Sequence, residues 1–273
     1  METVLKVKNV VVISVTMVVV GCAFFILQSI TSPASAIAGQ KNPVQHANEQ
    51  IKVDMNKVAP TQFNGQTRKI AYLTFDDGPG KYTAQLLDIL KENDVKATFF
   101  LIGQNVKSYP NLVKREVVEG HYIGMHSMTH NSKKLYDQGG YVDDMKEEQD
   151  LIASILGYSP KLTRPPYGSK TGLHEELRNK VVESGLKVWD WTIDSLDWTY
   201  NSVSTETAIA QITQKILADA NGPKEVILMH DIHSQSIAAV PAIIKGLKEK
   251  GYEFEAYHEF DHFPVNFMHD QRI

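Results

Sequence analysis

Beyond residue 68 the chain alternates between two rhythms of apolar spacing. Short runs rich in apolar, β-branched and aromatic residues at 70–75, 97–102, 122–126, 162–164, 187–193, 225–230 and 252–257 read as strands. Stretches with apolar residues three or four apart at 82–93, 110–119, 143–156, 173–183, 205–220 and 238–250 read as helices. About seven strands thus alternate with about six helices. Such an order predicts parallel strands joined by helical crossovers, either an α/β barrel or a doubly wound open sheet, and periodicity does not choose between the two. No internal repeat or low-complexity tract interrupts the pattern. The acidic run from Asp143-Asp144 to Asp150 falls in a predicted helix and is expected to form a solvated face with Lys146 as partner.

Residues 37–68 lack this rhythm. They are rich in Gln, Asn, Lys and Pro, the composition of a linker, so the domain is expected over 69–255 with a tail at 256–273. Ahead of the linker, Lys6 and Lys8 precede an uncharged run at 10–27, and Ala34-Ser35-Ala36 fits the small-x-small step of signal cleavage. Residues 1–36 therefore read as a signal peptide. An uncleaved membrane anchor is the alternative, since the run at 10–27 is long enough to span a bilayer. Val19-Val20-Gly21-Cys22 also looks like a lipid-attachment box, although the very apolar residues 23–27 that follow argue against it. Each reading places the remainder outside the cytoplasm: extracellular, in the cell wall or on the outer face of the cytoplasmic membrane.

Composition narrows the chemistry. With 273 residues, 42% hydrophobic and 22% charged, the chain can build one large core. Its formal charge of −4 becomes −5 once residues 1–36, with Lys6, Lys8 and Glu2, are set aside. No nucleic-acid partner is expected of so acidic a chain. Cys22 is the only cysteine, so the domain has no disulfides, no thiol chemistry and no thiolate metal site.

The unusual polar residues collect at the carboxyl ends of the predicted strands: Asp76-Asp77, His126 and His130, Arg164, Asp194 and His230. In barrels and doubly wound sheets alike, that edge is where active sites form. Taken alone, Asp76-Asp77-Gly78-Pro79 reads as a turn. Two adjacent carboxylates leaving a strand can also diverge, one to a metal and one to a proton. His126 and His130 are spaced to bind one ion or to serve as a structural pair. Together with Asp77 they would leave a coordination position open on Zn²⁺, with Co²⁺ or another divalent metal as a substitute. His258 and His262 repeat the spacing, with Glu259 and Asp261 close by, but no acid pair at a strand end accompanies them.

Five segments carry a family resemblance: Thr74-Phe75-Asp76-Asp77-Gly78-Pro79, His126-Ser127-x-x-His130, Arg164-Pro165-Pro166-Tyr167-Gly168, Asp194-Ser195-Leu196-Asp197-Trp198 and Val226-Ile227-Leu228-Met229-His230. In order and spacing they resemble the motifs of the polysaccharide deacetylases, the NodB-like enzymes of carbohydrate esterase family 4, over about residues 69–252. The resemblance implies a distorted (β/α) barrel and a metal-dependent hydrolase acting on the N-acetyl group of N-acetylglucosamine in peptidoglycan. Chitin oligomers or xylan are alternative substrates, and a wall-binding module without catalysis is a further reading. It implies Asp76 as general base, Asp77, His126 and His130 as metal ligands, and Arg164 as the residue that holds the base. It further implies that the Tyr167 backbone N–H binds the oxyanion, that Asp194 orients His230 as general acid, and that Trp198 and Leu228 line the acetyl pocket.

Overall fold

The computed structural model describes residues 42–54 and 60–273. The apolar run at 10–27, Cys22 and the Ala34-Ser35-Ala36 step lie outside the described residues. Helix α1 (Pro43–Asp54) comes first, followed by the antiparallel hairpin of β1 (Gln62–Phe63) and β2 (Gln66–Thr67). The alternation then runs through β3 (Lys69–Gly78), α2 (Thr83–Glu92), β4 (Thr98–Leu101), α3 (Gly103–Ser108), α4 (Pro110–Val118), β5 (Tyr122–Met125) and α5 (Tyr141–Leu156). It continues with β6 (Leu162–Thr163), α6 (Ser169–Gly172), α7 (Glu175–Ser184), β7 (Lys187–Val188), β8 (Ile193–Asp194), α8 (Thr205–Asp219), β9 (Lys224–His230), α9 (Ser234–Glu249) and β10 (Tyr252–Phe254).

Seven parallel strands in the order β7-β6-β5-β4-β3-β9-β8 curl into a distorted half-barrel, which decides the architecture between the two that periodicity allowed. β3 organises the sheet. One of its edges pairs with β9 from Ile70 to Asp76, and the other is shared, with β10 along Lys69–Ala71 and β4 from Thr74 onward.

Strand alternation sorts the side chains into two cores. Ala71, Leu73, Phe75, Phe99, Leu101, Ile123, Met125, Ile227 and Met229 face the helices and are buried among them. Ile70, Tyr72, Phe100, Leu162, Trp189 and Val226 face inward and fill the barrel. Moving up the inward row of β3 the chemistry changes from Ile70 and Tyr72 to Thr74 and Asp76, so an apolar floor carries a polar mouth.

Three expectations are revised. Residues 43–54, assigned to the linker, are helical: Asn42 accepts the Val44 N–H at 2.8 Å, Pro43 occupies the first turn, and Val44 reaches the core. The tail at 256–273 is packed structure. Tyr257 meets Trp189 and Tyr122 edge to face, the Trp189 indole donates to the Phe263 carbonyl at 2.9 Å, and Val265 bridges to Trp189. The strand at 187–193 splits into β7 and β8 because Asp190 turns its carboxylate away from the sheet to bind Ser169 and Phe267.

Gly124 of β5 exists because nothing larger fits: a Cβ there would lie 2.8 Å from the Phe100 ring and 3.2 Å from the Leu162 carbonyl oxygen. Gly124→Ala should therefore destabilise the fold by about 1–3 kcal/mol, read as a lower urea midpoint. An unchanged midpoint would mean that Phe100 has room to move.

Candidate active site

The strand ends bring the motif residues to one mouth. Asp77, His126 and His130 each offer a ligand atom, and these atoms lie within 4.8 Å of one another. The Nε2 atoms of His126 and His130 stand 3.6 and 3.7 Å from Asp77 Oδ1. Ligands at about 2.1 Å around a tetrahedral ion would sit about 3.4 Å apart, so the three fit a divalent metal with little adjustment. Asp77 Oδ1 is also buried without a hydrogen-bond partner, a costly arrangement unless a cation completes it. His126 Nδ1 donates to the Arg164 carbonyl at 2.7 Å, which leaves Nε2 with its lone pair toward the site. Burial, partly offset by Asp77, pushes the His126 imidazole down to about 3, so it is neutral and able to ligate.

Asp76 is buried beside this cluster, with Oδ2 3.8 Å from His126 Nε2. Its Oδ1 accepts from Arg164 Nη1 at 2.8 Å. Arg164 is itself fully buried and spends its donors on Thr74 Oγ1, the Trp189 carbonyl and the Asp190 carbonyl, with the guanidinium 4.0 Å over the Phe100 ring. Burial raises the Asp76 carboxyl above the ordinary range, against the charges of Arg164 and His230. Asp190, unremarked in the sequence, is buried and holds the Ser169 N–H, the Ser169 hydroxyl and the Phe267 N–H. An Asp between two Trp inside a predicted strand was the signal for it.

Opposite stands His230, where the resemblance and the structure differ. Its partner is Asp197: His230 Nδ1 lies 2.8 Å from Asp197 Oδ1, while the His230 N–H and the Ser236 hydroxyl donate to Asp197 Oδ2 at 2.8 and 2.6 Å. Asp194 instead accepts the Leu196 N–H at 2.9 Å, closing a turn in which Leu196 has φ of +56° and which brings Asp197 beneath His230. Burial disfavours the imidazolium, but Asp197, with Asp76 and Asp77, outweighs it and pushes His230 up to about 9.

Tyr167 lies over His130 with ring centroids 4.7 Å apart, has φ of +65° and is 60% exposed. Trp198 is 52% exposed on the turn after Asp197, and Leu228 faces the interior two residues before His230. Eight non-glycine residues adopt positive φ among the described residues, and five of them, Asp77, Ser127, His130, Tyr167 and Leu196, lie in these loops. Strain concentrated this way marks a functional site. Asp231, not singled out from the sequence, is buried against Gly78, accepts from Thr83 Oγ1 at 2.5 Å and is pushed up to about 7 by burial. His258 and His262 join no metal cluster among the described residues; His262 Nδ1 meets the Tyr257 hydroxyl at 3.1 Å.

The His230–Asp197 pair generates a titration. In metal-free protein, NMR should place the His230 pKa near 9, and Asp197→Asn should drop it toward the unperturbed value of about 6.5. Asp194→Asn should move it less. The larger drop in Asp194→Asn would reassign the partner.

Comparison with known proteins follows this geometry. A family model described as polysaccharide deacetylase matches residues 64–189. A peptidoglycan-N-acetylglucosamine deacetylase of Bacillus cereus is 67% identical over 273 residues, all of both chains. A chitin deacetylase of Colletotrichum lindemuthianum is 31% identical, covering 80% of this chain and 88% of its own. Among solved structures, the polysaccharide deacetylase Bc1974 from Bacillus cereus superposes with a TM-score of 0.75 at 73% identity, covering 76% of this chain and 100% of that one.

Proposed function

The chain belongs to the polysaccharide deacetylase family, and from that premise we propose that it hydrolyses the N-acetyl group of N-acetylglucosamine residues in peptidoglycan, releasing acetate. The observation that carries the reading is the unpartnered Asp77 oxygen facing two imidazoles, flanked on one side by Asp76–Arg164 and on the other by His230–Asp197. Identity to the Bacillus cereus enzyme along the whole chain supports the choice of glycan. The likeness to a chitin deacetylase supports chitin oligomers as the second reading.

Asp77, His126 and His130 would hold the ion, Zn²⁺ or Co²⁺ by the chemistry of two imidazoles and a carboxylate. When bound, it polarises the acetamide carbonyl and makes water more acidic. Asp76 removes a proton from the attacking water, and Arg164 fixes the carboxylate in place by binding only one of its oxygens. The Tyr167 N–H donates to the oxygen of the tetrahedral intermediate. His230, kept cationic by Asp197, protonates the departing amine, which is a poor leaving group until it is protonated. Trp198 and Leu228 enclose the acetyl methyl. The apolar run at 10–27 supports export, as a cleaved signal or as an anchor, which would bring the domain to a wall substrate.

Mass spectrometry of peptidoglycan fragments and chitin oligomers after incubation with the protein should show loss of acetyl. A chelator should abolish that loss, and zinc or cobalt should restore it. Full activity in rigorously metal-free protein would sink the reading.

The rate should follow a bell-shaped pH profile, with Asp76 ionised and His230 protonated. Because the imidazolium is the active form and Asp197 raises its pKa, activity should persist through neutral pH and fall as pH rises through that pKa, which a cation held by Asp77 brings below the metal-free value of about 9. Asp197→Asn should bring the basic limb down by roughly two units; an unmoved limb would mean that another group supplies the proton.

A pocket shaped for one methyl gains about 1–3 kcal/mol per fitting methylene, and rigid walls exclude longer chains by overlap. N-acetyl should be cleaved well, N-propionyl poorly and N-butyryl hardly at all, with Trp198→Ala narrowing the gap in kcat/KM. Equal rates on the three acyl groups would remove Trp198 and Leu228 from the pocket.

A further inference from the structure

The acidic helix α5 does not present the uniformly solvated face expected of it. Asp143, Glu147 and Asp150 are exposed, whereas Asp144 and Glu148, one turn apart, are 1% and 0% exposed. The expected partner, Lys146, instead donates to Gln149 and the Ser184 carbonyl. Both buried carboxylates lie on the face that carries Met145 and Ile152 into the core.

Asp144 is aimed at one backbone atom. Its Oδ1 accepts the Met128 N–H at 2.7 Å, and its Oδ2 pairs with Lys134 Nζ at 2.5 Å. Met128 sits midway between His126 and His130, in a segment where Ser127 and His130 both take positive φ. The rest of that segment is tied by backbone and by two further side chains, the Ser127 hydroxyl and Glu148 of the same helix α5, which faces the Ser127 and His126 N–H groups. The His126 N–H donates to the Leu101 carbonyl, Ser127 and Met128 carbonyls accept from the Gly103 and Gln104 N–H groups, and the His130 N–H is taken by the Ser127 hydroxyl. Gly103 lets the loop close in, since a Cβ there would lie 2.2 Å from Met128 Sδ. Asp144 thus supplies a side-chain anchor from a separate helix at the midpoint between two imidazoles whose Nε2 atoms must face the same Asp77 oxygen.

We propose that Asp144, clamped by Lys134, is a positioning residue for the metal site: it fixes the 126–130 turn so that His126 and His130 are presented to one ion. This rests on the metal-binding reading of Asp77, His126 and His130. Groups behind metal ligands typically govern affinity by 10–100-fold, because they hold the ligand geometry before the ion arrives.

The test is cobalt binding to the full chain, followed by the visible absorption of the ion and by competition with a chelator, alongside thermal melting. Asp144→Ala should weaken cobalt binding by roughly 10–100-fold and alter its spectrum. Asp144→Asn keeps an acceptor for the Met128 N–H and should recover most of the affinity. Ile152→Ala, a core truncation on the same helix, should lower the melting temperature while leaving the affinity and spectrum as in the parent. Should Asp144→Ala fail to fold, Lys134→Ala decides, because Lys134 is half exposed. Removing its positive charge would by electrostatics alone favour a cation, so a several-fold loss of cobalt affinity supports the clamp. Parent-like binding in Asp144→Ala, or in Lys134→Ala where that variant decides, overturns the proposal, as does an equal loss in Ile152→Ala. His126→Ala separates the two layers: if it also binds cobalt like the parent, the metal site itself is misplaced.

Discussion

A guanidinium buried away from water must find acceptors for its donors and a charge to balance its own, and Arg164 finds both at the centre of this fold. Its acceptors come from β3 through Thr74 and Asp76 and from the turn between β7 and β8 through Trp189 and Asp190. Its flat face rests on Phe100 of β4, and its own carbonyl takes the His126 ring N–H. Breaking such a buried pair from one side typically costs about 3–5 kcal/mol, because the surviving charge is stranded. The same residue therefore ties together strands on both sides of the sheet, holds the acid at the mouth, and sets which nitrogen of His126 is free. Structure and chemistry share one set of hydrogen bonds here, so neither varies without the other.

The opposite side of the mouth follows a different electrostatic logic. Asp76 and His230 are register partners on adjacent strands, yet each is governed by a separate counter-ion, Arg164 for the acid and Asp197 for the imidazole. Burial alone would neutralise both groups. Asp197 outweighs it for His230, whereas Arg164 only tempers it for Asp76, whose carboxyl stays above the ordinary range, so the two groups face each other under different balances. Pairs of titratable groups with separate partners are a recurrent means of running acid and base chemistry in one cleft.

What the sequence made legible was the part governed by short-range pattern. Apolar periodicity located β3, β4, β5 and β9, and the polar residues closing those runs, Asp77, His126 and His130, meet at one mouth. What it hid depends on contacts between distant segments. Asp194 and Asp197 sit three apart in one motif, and only the tight turn at Leu196 decides which carboxylate lies beneath His230. The acidic spacing of α5 reads as solvated until the 126–130 turn is seen to cover Asp144. Residues 43–54 carry few apolar positions, and residues 256–273 carry many but at no regular spacing, so neither betrays its packing: they are held by caps, single anchors such as Val44, and aromatic contacts to a barrel floor that no local window contains. Asp190 broke its strand for a partner, Phe267, 77 residues away.

β3 bears one more consequence, in the order of assembly. Its β4 partner follows shortly in the chain, but the Thr74 hydroxyl bonds a carbonyl 153 residues further on, and Thr83 reaches Asp231 across 148. Non-local pairing of this kind slows folding, since loop closure must precede the contacts that reward it. A nascent chain that has reached α8 already holds the acid pair, His126, His130 and Arg164, yet β3 still shows an unpaired, apolar edge along Ile70–Asp76. Until β9 arrives that edge is a template for intermolecular pairing. A partly synthesised chain that already carries most of the residues of the mouth thus still has this edge of β3 open, and a folding helper would have the most to do at that stage.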